Sequence, residues 1–364
     1  MAGRGGLNLT HSEVLVDFKK KYNTKSQEFI GSLLDRFTPD DLRNWCHELG
    51  EETFIGSSGR IFPKTFKASP LLRAWLRKLE ILNVQFKLQR NWRGWDEEGR
   101  LIFTDQNGID EFISSDYTLL SLGGASWPNL GSDGSWVKLL QEKNIPVSPL
   151  RPANCGFTVN WSDIFKEKFS GQPLKSIGLS FGEHNIKGEV MISSNGIEGG
   201  AVYALSSYLR NSLETGDLTT LTIDLKPAMS QQEIIDRLQK SPRRKQSFTT
   251  YLQKSLGLNS LAINLLREAN PKVSELTDRK LAQTIKSIPV ELMATFPIER
   301  AISSAGGVQL DNIDQNMMIK DLTGVFVAGE MLDWEAPTGG YLLQACFATG
   351  IAAAKGIINY AKSD

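Results

Sequence analysis

The sequence predicts an α/β fold carrying inserted segments, and three observations support it. Short apolar strands near both ends of the chain run into glycine pairs, as at Leu119-Leu120-Ser121-Leu122-Gly123-Gly124 and Val325-Phe326-Val327-Ala328-Gly329. A strand-like stretch spans about 145–225. A helical stretch, 228–292, then precedes a return to glycine-punctuated strands after Pro297. At 364 residues the chain is long enough for two or three domains of roughly 150 residues each. Its 40% hydrophobic and 23% charged residues are those of a chain that buries a core without staples.

The first helix with clear punctuation falls at 39–49. Thr38 is placed to cap it, Pro39 suits the first turn, and Asp40 and Asp41 complement the dipole. Leu42, Cys46 and Leu49 form its stripe, and Gly50 offers a stop. A second helix follows Pro70, with Leu72, Trp75, Leu76 and Leu79 on one face. Alternation then predicts strands at Val84, Phe86 and Leu88 and at Leu101 and Phe103, with Trp92-Arg93-Gly94-Trp95 and Glu98-Gly99 as turns. Tyr117–Leu122 reads as a buried strand. Within 145–225, Gly171-Gln172-Pro173 and Asn195-Gly196 mark turns. Ser230-Gln231-Gln232-Glu233 is a capping box. Phe248, Leu252 and Leu256, then Leu281, Ile285 and Ile288 after Thr277, carry helical spacing. An Ala-rich helix from about 341 to 361 closes the chain.

Composition narrows the function. Lys plus Arg and Asp plus Glu each number 41, which argues against nucleic acid or an anionic membrane as the main partner. The runs Lys19-Lys20-Lys21 and Arg243-Arg244-Lys245 read as solvated. Cys46, Cys155 and Cys346 lie far apart without metal-ligand spacing, which points to a reducing cytoplasm and no metal. No apolar run is read as membrane-spanning, and the N-terminal residues lack the apolar core of a signal peptide. Of three histidines, His11, His47 and His184, none sits in a metal or triad spacing.

What remains is a set of glycine turns after strands. Such turns leave backbone N–H groups aimed outward, suited to a pyrophosphate or the electron-rich edge of a ring. Each alone is read first as an ordinary tight connection. The C-terminal run is more specific: Glu330 ends a buried strand, and Thr338-Gly339-Gly340-Tyr341 opens a helix of small residues.

Five motifs stand in order: Gly3-Arg4-Gly5-Gly6-Leu7-Asn8-Leu9-Thr10, Gly59-Arg60-Ile61-Phe62-Pro63, Gly123-Gly124-Ala125-Ser126-Trp127-Pro128, Ser304-Ala305-Gly306-Gly307-Val308, and Gly329-Glu330-Met331-Leu332-Asp333 through Thr338-Gly339-Gly340-Tyr341. Together they resemble a bacterial family of FAD-binding flavoproteins, the NAD(P)/FAD-dependent oxidoreductases of aminoacetone-oxidase-like type. The resemblance implies a Rossmann-type, glutathione-reductase-like FAD domain in two parts, 1–144 and 297–364. A β-rich, barrel-like subdomain at 145–227 and a small helical one at 228–296 would divide it. It implies that Arg4, Gly5 and Asn8 line the FAD cleft and that Gly123 and Gly124 close over the cofactor. Gly329 and Glu330 would meet the ribityl–pyrophosphate region. Gly339, Gly340 and Tyr341 would aim a helix N-terminus at the flavin pyrimidine edge. FAD would pass a hydride through N5, with NAD(P)H as implied donor and a small molecule as substrate. Tyr341 and His11 are the candidate proton donors.

The family opens with a strand, a Gly-x-Gly-x-x-Gly turn, a helix and a second strand, the unit that grips the pyrophosphate and adenosine ribose. This sequence contains no such motif. The expectation is an incomplete FAD domain from a misplaced or truncated start, with weak FAD binding and apolar sheet edges. A truncated, non-catalytic remnant or interaction module is the alternative to an enzyme.

Overall fold

The structure, a computed structural model, describes residues 6–23, 26–241, 243 and 245–363. The chain forms two compact units, Met1–Arg151 with Ser303–Asp364, and Pro152–Ile302.

In the first unit the strand Thr118–Leu120 pairs in parallel with Val325–Val327, Thr118 opposite Val325 and Leu120 opposite Val327. Ser303–Val308 lies beside Val147–Ala153. Two antiparallel three-stranded sheets complete the β-structure: Thr10–His11, Arg60–Pro63 and Thr53–Ile55, and Asn91–Trp95, Leu101–Thr104 and Asp110–Ile113. The C-terminal helix Tyr341–Ala361 buries Tyr341 at its start and then Ala345, Ala348, Ala352 and Ala353, whose small side chains let it approach the parallel pair closely. By length and composition this helix is apolar enough to cross a membrane, which corrects the reading that no run reaches that length. About half of it packs inside the unit instead.

The capped helix forms as its sequence dictates. Pro39–Glu48 begins with a full capping box, in which the Thr38 hydroxyl accepts from the Asp41 N–H while the Asp41 carboxylate accepts from the Thr38 N–H at 2.7 Å. The next helix, Ala68–Ile81, exists, but its buried face is rotated from the expected one. Leu71 and Ala74 are buried, whereas Leu72, Trp75 and Leu76 are 52%, 38% and 40% exposed. Leu9 and Cys46 form the small core this helix meets, and they select the neighbouring stripe. Leu71→Ala is therefore expected to cost about 2–4 kcal/mol, and Leu72→Ala no more than about 0.5 kcal/mol. Urea unfolding midpoints of the two variants check the difference, and equal losses would restore the expected face.

Two strand expectations fail here. Residues 84–88 form no strand; Val84, Phe86 and Leu88 are all exposed, and no described strand pairs with them. Alternation supplies side chains for a sheet, but a strand persists only where a neighbour takes its amides. Conversely, the expected turn Trp92–Trp95 lies inside the strand Asn91–Trp95, whose register shifts between Trp92 and Trp95, with Gly94 at φ +98°.

The second unit is built on one antiparallel sheet of seven strands. In spatial order they are Ile288–Leu292, Thr219–Asp224, Pro173–Phe181, His184–Ser193, Gly196–Glu198, Phe157–Thr158 and Ala294–Thr295. The first and last of these are separated in sequence only by Met293, whose N–H donates to Thr158 O at 2.9 Å. The sheet therefore curls until its two ends are parts of one continuous segment, a barrel-like closure. Gly200–Glu214 is a helix within the stretch read as strands, and Ile288, read as the end of a helical stripe, begins a strand. The helices Gln231–Lys240, Phe248–Leu256, Ser260–Ala269 and Asp278–Lys286 follow, the first capped by the Ser230–Glu233 box. Their buried side chains join those of the sheet in a single cluster. Segments 145–227 and 228–296 thus share one core from Pro152 onward, because neither helices nor sheet can bury an apolar face alone.

Candidate functional site

The described candidate residues lie in the first unit, around two turns that one helix connects. Arg4 and Gly5 lie outside the described residues.

The first turn region stands at the carboxyl ends of the parallel pair, where α/β sheets place their ligands. Thr118–Leu120 leads to Gly123, φ +74°, and Val325–Val327 leads to Gly329, φ +82°, a region that favours glycine. Indole N–H groups hold both turns: Trp136 donates to Gly123 O at 3.0 Å and Trp334 to Gly329 O at 2.9 Å. The Gly329 N–H donates to Thr349 Oγ1 on the C-terminal helix at 3.0 Å. Glu330 then draws the pieces together. Its carboxylate accepts from the Ser304 N–H at 2.8 Å and from the Gly124 N–H. Ser304 Oγ accepts from the Ala125 N–H at 2.8 Å. Burial, the largest influence, raises the Glu330 carboxyl above its ordinary value, against the pull of these two amides. Burial also pushes the nearby Cys346 thiol up to about 12, with the Glu330 charge adding to it.

The second region is the start of the C-terminal helix. Gly340, φ +100°, precedes Tyr341, and with the Asn8 amide oriented as its neighbours require, the Gly340 N–H donates to the Asn8 side-chain oxygen at 3.2 Å. Tyr341 is held on every side. Its hydroxyl donates to Glu13 Oε1 at 2.5 Å, its carbonyl accepts from the Tyr22 hydroxyl at 2.8 Å, and its ring stacks on His11 with centroids 5.6 Å apart. Burial first and Glu13 second push its phenol well above the ordinary tyrosine range. His11 accepts the Glu13 N–H at Nδ1, 3.1 Å, and donates from Nε2 to Ser58 O at 2.9 Å. Both ring nitrogens are thus committed to neighbours within the protein.

The structure thus brings Gly123, Gly124, Gly329 and Glu330 together, and separately Asn8, His11, Gly339, Gly340 and Tyr341. Tyr341 and Thr349 are eight residues apart on one helix, about 12 Å along its axis. Glu13 and Ser304 were missed by sequence reasoning. Glu13 carries no motif of its own; Ser304 stood inside a quoted motif, but nothing local showed that it meets Glu330. Outside this region, His47 bonds Thr53 Oγ1 at 3.0 Å, and His184 stacks on Tyr208.

Protein packing accounts for several glycines. A Cβ on Gly124 would run into Ser304, on Gly306 into Pro149 O, and on Gly340 to within 2.5 Å of Thr10 Cα. At Gly329 a Cβ would find Cys346 Sγ at 4.0 Å and nothing nearer. Thr10 Oγ1 and Gln344 Oε1 are among the fully buried polar atoms of the described residues that have no hydrogen-bond partner. Thr10 packs directly on Gly340, and the Gln344 side chain, one helical turn further on, donates its amide N–H to Phe37 O at 2.9 Å. The open space at Gly329, at the carboxyl end of a parallel strand with φ +82°, is room of the kind a flavin cofactor's chain requires, and in that respect the site fits the group.

The sequence matches the family described as HI0933-like protein Rossmann domain over residues 1–356. It is 25% identical over 370 residues to a 3-dehydro-bile acid delta(4,6)-reductase of Clostridium scindens, covering 97% of this chain and 88% of that protein. It is 24% identical over 382 residues to a ribosomal RNA dihydrouridine synthase of Haemophilus influenzae, covering 98% and 88%. Among solved structures, an Escherichia coli quinol fumarate reductase aligns with all of this chain and 64% of its own, at 13% identity and a TM-score of 0.43.

Proposed function

The chain belongs to the HI0933-like, FAD-binding Rossmann family, and from that premise we propose that it is an FAD-dependent oxidoreductase acting on a small molecule. The observation that carries this reading is the convergence of Gly123, Gly124, Gly329 and Glu330 at the carboxyl ends of the parallel pair, joined by the C-terminal helix to the Gly340 turn. FAD, when bound, supplies hydride transfer through N5. The chain's own residues do the rest. Gly329 and Glu330 would hold the ribityl–pyrophosphate region, and Gly123 and Gly124 would close over the cofactor. Asn8, Gly339, Gly340 and Tyr341 hold the pyrimidine side, and the helix start favours negative charge there. His11 and the Tyr341 hydroxyl are committed to Ser58, Glu13 and each other's ring. Of the two, only the Tyr341 hydroxyl places its proton on a carboxylate, that of Glu13; His11 meets the Glu13 backbone N–H and Ser58 O.

The reaction is reduction of an activated carbon–carbon double bond with NAD(P)H as donor, in the cytoplasm. The names of the relatives, a delta(4,6)-reductase and a dihydrouridine synthase, support that class. The second reading, a non-catalytic remnant or interaction module, draws on the exposed Ile81, Leu82, Val84, Phe86 and Leu88.

Purification with added FAD tests both. The visible spectrum is recorded, and NADH, NADPH, a conjugated enone and a uridine-containing RNA are then screened anaerobically. The expected result is bound flavin that NAD(P)H bleaches and the enone restores. No flavin uptake overturns the enzyme reading, and reoxidation by the RNA alone moves the substrate to nucleic acid.

A further inference from the structure

We propose that Trp127 is a substrate-binding residue: its indole, held out from the loop that follows Gly123 and Gly124, is the platform on which a flat conjugated ring stacks. The inference rests on the flavoprotein reading and deepens it by naming the substrate class.

The loop is pinned on either side of this residue. Before it, Trp136 Nε1–H donates to Gly123 O at 3.0 Å, the Gly124 N–H to the Glu330 carboxylate, and the Ala125 N–H to Ser304 Oγ at 2.8 Å. After it, Pro128–Leu130 make a single helical turn. There the Leu130 N–H donates to Trp127 O and the Gly131 N–H to Pro128 O, both at 2.9 Å. Gly124 and Ser126 are buried, and Trp127 then stands 50% exposed.

Two features of this position disagree with a purely structural role. The backbone is left-handed, φ +61° and ψ +59°, where glycine or asparagine is at ease and a bulky side chain is an outlier. Such strain persists only where the surroundings impose it. The ring gives little packing in return, since Trp127 is the most exposed of the eight tryptophans. Trp92 and Trp95 show the contrast: their rings meet edge to face at 4.8 Å, and Trp92 is buried.

Position supplies the reason for keeping the ring. Three peptide units join Trp127 to Gly124, so its Cα lies within about 11 Å of the turn that Glu330 holds. Space is open at Gly329, next to Glu330, and a Cβ on Gly131 in the loop itself would meet nothing within 4 Å. An indole fixed beside that opening offers a flat apolar face, and such a face selects ligands by their own π surface. A conjugated ring carrying an activated double bond has that surface, and an acyclic enone lacks it. Trp127 binds and orients the ring and exchanges no proton with it.

Equilibrium dialysis of the full chain, with and without added FAD, tests this on wild type, Trp127→Gly, Trp127→Asn and Trp127→Phe. The probes are coumarin, a flat fused ring with an activated carbon–carbon double bond, and 3-penten-2-one, an acyclic enone. Wild type is expected to bind coumarin at least tenfold more tightly than 3-penten-2-one. The coumarin Kd should rise about tenfold in the Gly and Asn variants and less than about threefold in Trp127→Phe, which keeps a stacking face. FAD affinity should stay at the wild-type value in all three. The urea midpoints of Trp127→Gly and Trp127→Asn should be no lower than wild type, because both residues accept the left-handed backbone; asparagine does so without the added chain freedom of glycine.

Coumarin affinity unchanged in both ring-less variants overturns the proposal, as does a wild type that binds coumarin no better than the acyclic probe. Lowered midpoints in both variants show a ring that packs for stability and overturn it as well. FAD affinity that falls together with coumarin affinity assigns the ring to the cofactor instead of the substrate. A wild type that takes up no FAD overturns the flavoprotein reading, while the coumarin constants of the FAD-free chain still decide for or against Trp127.

Discussion

Gly340→Ala will unfold at a markedly lower urea concentration than wild type and will take up little FAD. Gly340 sits at φ +100°, where an L side chain strains the backbone by about 1–3 kcal/mol. The added Cβ would also stand 2.5 Å from Thr10 Cα and 2.6 Å from its carbonyl atoms. Those atoms belong to a strand paired with Arg60–Pro63, so the obstacle is backbone that cannot rotate away. The helix start must retreat, and the Asn8 bond to the Gly340 N–H goes with it. A total near 3–5 kcal/mol follows, at the upper end of single-residue effects. Gly350→Ala in the same helix is the control. A Cβ there meets nothing within 4 Å, so alanine is expected to stabilise by about 0.5–1 kcal/mol. Equal midpoints for Gly340→Ala and wild type would show that the helix start does not pack on the strand as described.

Glu330→Gln is the second large effect, and its signature is a pH slope. The carboxylate accepts from the Ser304 and Gly124 N–H groups. An amide presents one oxygen to them and turns an NH2 toward donors. About 1–3 kcal/mol is expected from the amide left unpaired, at the low end because the residue is only half-buried. The folded carboxyl lies above its unfolded value of 4.5, chiefly through burial. The folded state therefore holds the proton more tightly than the unfolded one. This group's contribution is present in full below pH 4.5 and is lost as pH rises through the raised folded value. Carboxylates with lowered values, among them Asp41 held by Thr38 and Asp133 held by Ser135, slope the opposite way. The readout is hence the difference between wild type and Glu330→Gln across pH 4 to 8. Wild type should lose its advantage as pH rises, and a flat difference would place Glu330 outside the shielded turn. Flavin affinity should fall with the same substitution, since the Gly124 and Ser304 segments lose their common tether.

Much of the architecture was legible where its cause is local. Thr38, Pro39 and Asp41 determine a helix start through their own backbone, and the structure reproduces the box atom for atom. Ser230 and Glu233 do the same. Tyr117–Leu122 and Val325–Ala328 were readable as strands because both are short apolar runs ended by glycine. The buried face of Ala68–Ile81 was not readable. Leu71 and Leu72 are equally apolar, and only the position of Leu9 and Cys46 chooses between them. Residues 84–88 carry strand alternation, yet stand exposed because a strand's stability lies in its neighbour.

The same division runs through the site. By itself the sequence determined which segments could present backbone amides: glycine pairs after strands and a Gly-Gly helix start are properties of consecutive residues, set by φ and by the absence of a Cβ. Only the tertiary structure decided that Glu330 would tie Gly124 to Ser304, about 180 residues away in the chain. Likewise it decided that Glu13 would hold the Tyr341 hydroxyl and that His11 would spend both nitrogens on its neighbours. Hydrogen bonds between distant residues leave no period or spacing in a sequence. They exist only once burial has removed water as the competing partner.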